Sequence, residues 1–381
     1  MNVTLILLVV LGNVTCLRAS RIMVALFAID LGAEQYVIGV MIALYALFPA
    51  LLAVYAGRLS DRIGPRLPMI GGSAGLVAGL LIPYVSPTMP ALGLSAASFG
   101  VAFIFYHVAV QNMLGAISNE HNRTQNFSNY SLMIAAGGFV GPLLAGLSID
   151  HFGFRSTYLY LALVAVVPLV LLASSRGLRT AAVRGKPAPA AVEGQRATSG
   201  LLRHQPLRIP LIGSAAVLTG TDLFQFYMPI YGHSIGLSAS QSGFILSVVG
   251  VAAFVVRVGM PALVRRTGEA KLLAYSLFLG ALAFVVFPFF KNVAVLTVFA
   301  FLLGLSLGCG QPLSTILIYA NSPPGRTGEA LGLRLAINNA THVLIPLLAG
   351  SIGSMFGLGP VFWVNATMLA GGGVLVRRSS A

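Results

Sequence analysis

Ten polar or charged side chains are embedded in segments of the sequence that are otherwise almost wholly apolar. They are Arg18, Arg21, His107, Gln111, Asp222, Gln225, Gln311, Arg334, Asn338 and His342. Within a segment they are three, four or eight positions apart, which places them on one face of a helix. Carboxylates carry protons, guanidinium groups bind anions, and amides and imidazoles donate or accept hydrogen bonds. The set therefore has the chemistry of a polar binding site that can exchange protons.

Asp222 is the one acid that lies inside an apolar segment away from its ends. Burial disfavours an ionised carboxylate and a nearby arginine favours it, so the two effects compete. We therefore predict that Asp222 is the proton carrier. His107 is the alternative, because imidazole changes its charge near neutral pH. A histidine in a helix serves as often as a structural hydrogen-bonding group, and that alternative stays open.

Three arginines accompany this single acid, namely Arg18, Arg21 and Arg334. The surplus predicts an anionic substrate, because guanidinium groups bind carboxylates and phosphates through paired hydrogen bonds. The alternative is that some of them, Arg334 above all, brace a helix end or reach to the membrane surface. The predicted substrate-binding residues are Arg18, Arg21, His107, Gln111, Gln225, Gln311, Arg334 and Asn338.

The elements that must position these residues are membrane-spanning helices. Of 381 residues 57% are hydrophobic and 8% are charged, and the mean hydropathy is +0.90. Apolar runs of about 20 residues recur throughout, and such runs must be helical because lipid cannot satisfy backbone polar groups. We predict twelve helices, at residues 3–29, 36–58, 67–85, 90–114, 126–148, 155–174, 208–231, 239–261, 270–289, 293–318, 328–351 and 358–376.

The net charge of +14 reports membrane topology rather than nucleic-acid binding. If the N-terminus is cytoplasmic, 17 of the 23 lysines and arginines lie in cytoplasmic loops, and the opposite loops hold only Arg155 and Lys291. We predict a multi-pass, monomeric protein of the bacterial inner (cytoplasmic) membrane with both termini in the cytoplasm. Cys16 and Cys309 lie in apolar segments, where packing is their expected role.

The two halves of the chain are repeats of each other. A shift of 204 residues superposes Pro142-Leu-Leu-Ala-Gly146 on Pro346-Leu-Leu-Ala-Gly350. It also pairs Gly39 with Gly243, Arg62 with Arg266 and Gly64 with Gly268. We predict six-helix bundles at 1–174 and 208–381, joined by a cytoplasmic linker at 175–207 that is rich in Ala, Pro, Gly and Arg.

The repeat also relates the polar residues of the two halves. It places Arg18 on Asp222 and His107 on Gln311, so equivalent positions carry opposite charges. We predict that Arg18 and Asp222 share a central cavity and interact in at least one state. A static ion pair that only neutralises itself is the alternative.

The segment between the second and third predicted helices reads Gly57-Arg-Leu-Ser-Asp61-Arg62-Ile-Gly64-Pro-Arg66. It closely resembles a loop signature of the major facilitator superfamily. The resemblance implies an all-α membrane fold of twelve helices in two pseudo-symmetric halves, with Gly57, Asp61, Arg62 and Gly64 controlling the conformational change. The second copy, Pro261-Ala-Leu-Val-Arg265-Arg266-Thr-Gly268, lacks the acid. A solvated basic loop is the alternative.

The fifth predicted helix carries Gly137-x3-Gly141-Pro142-x2-Ala145-Gly146. The pattern resembles an antiporter signature of exporters in that superfamily, which implies a gating role for Gly141 and Pro142. Ala145 stands where the signature has a glycine. Ordinary packing of small residues around a proline kink is the alternative.

These resemblances imply a secondary transporter that moves a small organic solute by alternating access, as a proton-coupled exporter. The first alternative is a proton symporter that imports an organic anion. The second is a membrane enzyme or sensor, although the sequence has no phosphate-binding loop, nucleophile motif or metal-ligand spacing. No cofactor and no metal are expected, and the partners are the solute, protons and lipid.

Overall fold

The computed structural model describes residues 3–118, 123–175, 205–323 and 327–379. Within these ranges the chain forms eleven α-helices and one 3₁₀ turn, Phe287–Phe289. The helices are α1 Val3–Asp30, α2 Gln35–Ile63, α3 Arg66–Val85, α4 Met89–Ile117, α5 Arg123–Ser174, α6 Gln205–Ser234, α7 Ala239–Thr267, α8 Glu269–Val286, α9 Val293–Ala320, α10 Thr327–Phe356 and α11 Leu358–Ser379. All eleven are long and apolar enough to cross a membrane.

Helix α5 contains the fifth and sixth predicted spans. Its 52 residues are divided at Gly153, whose φ of 73° and ψ of 170° are not helical. Glycine adopts such a left-handed φ without the steric penalty of a Cβ atom. The described residues therefore hold all twelve predicted spans, and the fold prediction is confirmed.

One boundary differs from its prediction at a predicted gating segment. The second helix was expected to end at residue 58, but α2 continues to Ile63. Asp61 and Arg62 therefore lie on its last turn rather than in a loop, and Gly57 lies further inside the helix. A single glycine costs a helix only about 1 kcal/mol, so Gly57 does not end α2. The chain turns instead at Gly64, with a φ of 82°.

The backbone repeats with the same period as the sequence. Among the described residues, every residue with positive φ is a glycine, and these glycines form three pairs separated by 204 residues. The pairs are Gly32 and Gly236, Gly64 and Gly268, and Gly153 and Gly357, with φ between 73° and 83°. Equivalent helices in the two halves therefore end in the same left-handed turns, which confirms the repeat.

The described residues fall into two compact units. Unit 1 comprises those of Met1–Ala33, Leu44–Glu193 and Ser238–Gly243, and unit 2 those of Glu34–Ala43, Gly194–Leu237 and Phe244–Ala381. The first residues of α2 thus belong to unit 2, and the first residues of α7 to unit 1. Most of the predicted linker, residues 176–204, lies outside the described residues.

Each unit has its own apolar core. In unit 1, α1 packs closely on α5 at Gly141, where there is no room for a side chain. A Cβ atom on Gly141 would lie only 2.7 Å from the Arg18 Cβ atom. Phenylalanine rings dominate the core of unit 2, where Phe287 stacks on Phe362 with ring centroids 5.4 Å apart.

Candidate proton and solute site

The buried acid of unit 2 is paired with a histidine. Asp222 lies on α6 and His342 on α10, and His342 Nδ1 donates a hydrogen bond to Asp222 Oδ2. The Asp222 side chain is 10% exposed and that of His342 is 34% exposed. The carboxylate is therefore enclosed, whereas the imidazole has one side accessible.

This pairing determines where a proton can reside. Neutral His342 with its proton on Nδ1 can satisfy Asp222 while Nε2 remains an acceptor. A further proton on Nε2 makes the pair neutral overall, and its removal leaves one negative charge. The imidazole is the member of the pair that solvent reaches more easily.

A second cluster in unit 2 surrounds Arg334 of α10. Arg334 Nη2 donates to Gln311 Oε1 at 2.5 Å, and Arg334 Nε donates to Ser214 Oγ at 3.1 Å. Ser214 Oγ donates in turn to Asn338 Oδ1 at 3.3 Å, and Gln311 Nε2 donates to the Ser214 carbonyl at 3.2 Å. This network joins three predicted substrate residues, Gln311, Arg334 and Asn338.

The partners of Arg334 in this network are neutral. Among the side chains that the structure describes, no carboxylate pairs with Arg334. A guanidinium group that is held only by an amide and a hydroxyl keeps its positive charge for another ligand. The cluster can therefore hold an anionic or strongly electron-rich group.

His107 of unit 1 has both ring nitrogens occupied. The Tyr130 hydroxyl lies 2.9 Å from Nδ1, and Gln111 Nε2 lies 2.8 Å from Nε2. If Gln111 donates to Nε2, then Nδ1–H donates to Tyr130 and the imidazole is neutral. Adding a proton requires the Gln111 amide to turn. The contacts therefore favour a hydrogen-bonding role for His107 over proton transport.

The remaining predicted substrate residues are distributed over both units. The Arg21 guanidinium lies over the Tyr45 ring, 5.4 Å from its centroid, which is a cation–π contact. Arg18 is half-buried on α1 in unit 1, and Gln225 lies one turn after Asp222 on α6 in unit 2. The predicted approach of Arg18 to Asp222 stays a prediction.

The predicted gating residues show distinct environments within unit 1. Asn112 Nδ2 donates to Asp61 Oδ1 at 3.1 Å and to Ser60 Oγ at 3.0 Å, which ties the end of α2 to α4. Gly57 faces open space. A Cβ atom on Gly243 would lie 2.4 Å from the Pro142 carbonyl oxygen, so α5 and the start of α7 meet closely at Pro142. Arg62 is exposed.

Sequence reasoning assigned no site role to three residues that complete these clusters, namely His342, Ser214 and Tyr130. His342 was recognised as one of the polar residues in apolar segments, but no site role was assigned to it. The spacing of four between Arg334, Asn338 and His342 was the available signal. Ser214 and Tyr130 gave no signal, because a single serine or tyrosine in an apolar helix is common.

Comparison with known proteins identifies the class. The sequence matches the family model of the Major Facilitator Superfamily over residues 6–297 and 268–379. The multidrug resistance protein MdtG of Dickeya zeae is 25% identical over 337 residues, covering 87% of this chain and 81% of that protein. The uncharacterized MFS-type transporter YuxJ of Bacillus subtilis is 23% identical over 342 residues, covering 89% of this chain and 86% of that protein.

Solved structures of transporters share the fold. A POT peptide transporter in complex with sulfate has a TM-score of 0.82 at 14% identity, covering 99% of this chain and 94% of that one. The nucleoside transporter NupG has a TM-score of 0.79 at 13% identity, covering 99% of both chains. The fold and the family match together define a polytopic membrane transporter, not an enzyme. The chain belongs to the major facilitator superfamily.

Proposed function

We propose that the chain exports a small organic solute across the bacterial inner membrane in exchange for protons, with both termini in the cytoplasm. MdtG, whose name denotes multidrug resistance, supports export because it resembles this chain over most of both lengths. The asymmetry of basic residues supports the orientation.

The observation that carries the proposal is the pairing of Asp222 with His342. Asp222 is the one buried acid among the side chains that the structure describes. An ionisable group inside a membrane span is costly and normally marks an ion or substrate pathway. The pair loads one proton from one side of the membrane and releases it to the other.

Export follows if solute and proton compete for the charge of this pair. Binding of a solute beside Asp222 is favoured while the Asp222–His342 pair is negative. A proton that neutralises the pair removes this attraction and displaces the solute. Gln225, one turn further along α6, supplies hydrogen bonds to such a solute. Mutually exclusive occupancy is what couples the two fluxes in opposite directions.

The test separates proton coupling from solute movement. Purified protein is first screened by thermal shift against tetraphenylphosphonium and benzoate, and the stabilising probe is used in proteoliposomes. Asp222→Asn is expected to abolish accumulation driven by a pH gradient while preserving exchange of labelled for unlabelled probe. Asp30→Asn, the same substitution at an exposed carboxylate at the end of α1, serves as the matched control. Full gradient-driven accumulation by Asp222→Asn would exclude the proposal.

A second candidate function is uptake of an organic anion together with a proton. The observation in its favour is Arg334, which is held by neutral partners among the described side chains. In this mechanism protonation of the Asp222–His342 pair removes a negative charge and favours anion binding, so both move together. Stabilisation by benzoate alone, with accumulation toward the alkaline side that exceeds the passive accumulation in protein-free liposomes, would select this function over export.

A further inference from the structure

An open groove of about 630 Å³ lies on unit 1, where α2, α3 and α4 meet. Its walls are almost wholly apolar, with Leu59 and Ile63 from α2, Leu67 from α3 and Phe105 from α4. Its volume is within the range of pockets that hold small organic ligands. In a membrane-spanning unit the natural occupant of such a surface groove is a hydrocarbon chain.

Small residues create the groove, and one of them is not required for packing. On α3, a Cβ atom on Gly72 would lie 2.6 Å from the Ala102 carbonyl oxygen, and one on Gly75 would lie 2.7 Å from the Ala102 Cβ atom. These two glycines therefore let α3 approach α4. Gly71 also lines the groove, but a Cβ atom there would meet nothing within 4 Å. The absence of a side chain at Gly71 therefore widens the groove and is not needed for helix contact.

The second half of the chain carries larger residues at most of the equivalent positions. Of the seven small groove residues, five have large counterparts 204 positions further on, whereas Gly72 and Ala102 correspond to Ser276 and Ser306. Gly71, Gly75, Ala78, Ala97 and Ser98 correspond to Tyr275, Leu279, Leu282, Phe301 and Leu302. The same helix arrangement thus accommodates bulky residues in unit 2. The groove is a property of the side chains of the first half, not a requirement of the fold.

Three arginines are direct sequence neighbours of residues in the groove wall. Three apolar residues of the groove wall each directly follow an arginine in the sequence, namely Leu59, Ile63 and Leu67. These arginines are Arg58, Arg62 and Arg66. With Asp61, residues 57–66 carry a net charge of +2, that is, three arginines and one aspartate. An apolar groove whose wall includes residues next to three arginines matches a molecule that has a hydrocarbon tail and an anionic head.

We propose that this groove binds one acyl chain of an anionic phospholipid, with the lipid phosphate at the end formed by Arg58, Arg62 and Arg66. Arg58 and Arg62 are exposed. Arg66 Nη2 already donates to the Ala173 carbonyl oxygen at 3.1 Å. Arg58 and Arg62 are therefore the head-group ligands, and Arg66 orients the start of α3.

Bromine atoms on lipid chains quench tryptophan at short range, so a single tryptophan in the groove reports its occupant. Trp363, in unit 2, is the only tryptophan of the chain. The reporter combines Trp363→Phe with Phe105→Trp in the groove wall. It is reconstituted with brominated phosphatidylglycerol or brominated phosphatidylcholine, and each binding constant at the groove is obtained by competition with the unbrominated lipid.

The reporter is expected to prefer phosphatidylglycerol at least about fivefold, since one arginine at a membrane surface contributes about that factor. Gly71→Tyr, which installs the residue found at position 275, should abolish the preference. Gly371→Tyr is the matched control, because this exposed glycine of α11 also has open space around its Cβ position. It should leave the preference unchanged.

Arg58→Gln tests the head group separately and does not alter the groove wall. It should lower the preference for phosphatidylglycerol about fivefold. Equal binding of the two lipids to the reporter would overturn the proposal. A preference that survives both Gly71→Tyr and Arg58→Gln would also overturn it, because the anionic lipid would then bind elsewhere.

Discussion

Replacement of Gly141 by alanine should disturb the contact between α1 and α5 in a measurable way. The added Cβ atom would lie 2.7 Å from the Arg18 Cβ atom and 2.7 Å from the Thr15 carbonyl oxygen. Favourable contacts between carbon atoms need about 3.5–4.0 Å. Helix α1, which carries Arg18, must therefore move away or the substitution must be strained.

The expected loss of folding stability in Gly141→Ala can be estimated by comparison with a second glycine on α5. Gly138 is three residues earlier on α5, and a Cβ atom there would meet nothing within 4 Å. Each Gly→Ala change gains about 0.8–1 kcal/mol of helix propensity, and this gain cancels between the two variants. Overpacking costs about 1–3 kcal/mol. Gly141→Ala should thus be about 1–3 kcal/mol less stable than Gly138→Ala.

The assay is reversible unfolding by SDS in mixed micelles, with the free energy of unfolding obtained for both variants and the wild type. Gly138→Ala is expected to be slightly more stable than the wild type. Equal free energies for Gly138→Ala and Gly141→Ala would refute the close contact of α5 with Arg18. That result would also remove the structural basis for a gating role of Gly141.

Three further predictions concern other contacts. Gly64→Ala should cost about 1–2 kcal/mol in the same unfolding assay because its φ is 82°, whereas Gly57→Ala, on a helical residue in open space, should not destabilise. Asp150 accepts from the backbone N–H of Ser240 at 2.8 Å, so Asp150→Ala should speed hydrogen exchange at the start of α7, and Asp150→Asn should do so less. Arg334→Gln should abolish thermal stabilisation by benzoate, and Arg334→Lys should retain part of it, because lysine keeps the charge but loses the forked donor geometry.

The fold could be predicted almost completely from the sequence, for physical reasons that act locally. Apolar runs long enough to span a bilayer must be helical, and the 204-residue repeat seen in the sequence recurs in the backbone as three pairs of glycines with positive φ. The end of α2 was placed at residue 58 instead of Ile63 because the charged residues that follow, from Asp61 to Arg66, were interpreted as a loop. A lone glycine is tolerated inside a long apolar helix, and the left-handed turn at Gly64 ends it instead.

The site could be predicted only as a set of residue types. Spacing placed Arg334, Asn338 and His342 on one face of α10, but it did not reveal that His342 reaches Asp222 on α6. That pairing depends on the rotation and separation of two helices 120 residues apart in the chain. Sequence periodicity fixes which face is polar, whereas tertiary packing decides which polar groups meet.

The most direct test of proton-coupled export is the exchange of protons on solute binding by the purified protein. The probe that raises the melting temperature, tetraphenylphosphonium or benzoate, is added in weakly buffered detergent solution with a pH indicator. Competition at the Asp222–His342 pair predicts that the wild type releases protons and that Asp222→Asn releases none. Equal proton release by both proteins would contradict the role of Asp222, and proton uptake by the wild type would contradict export by exchange.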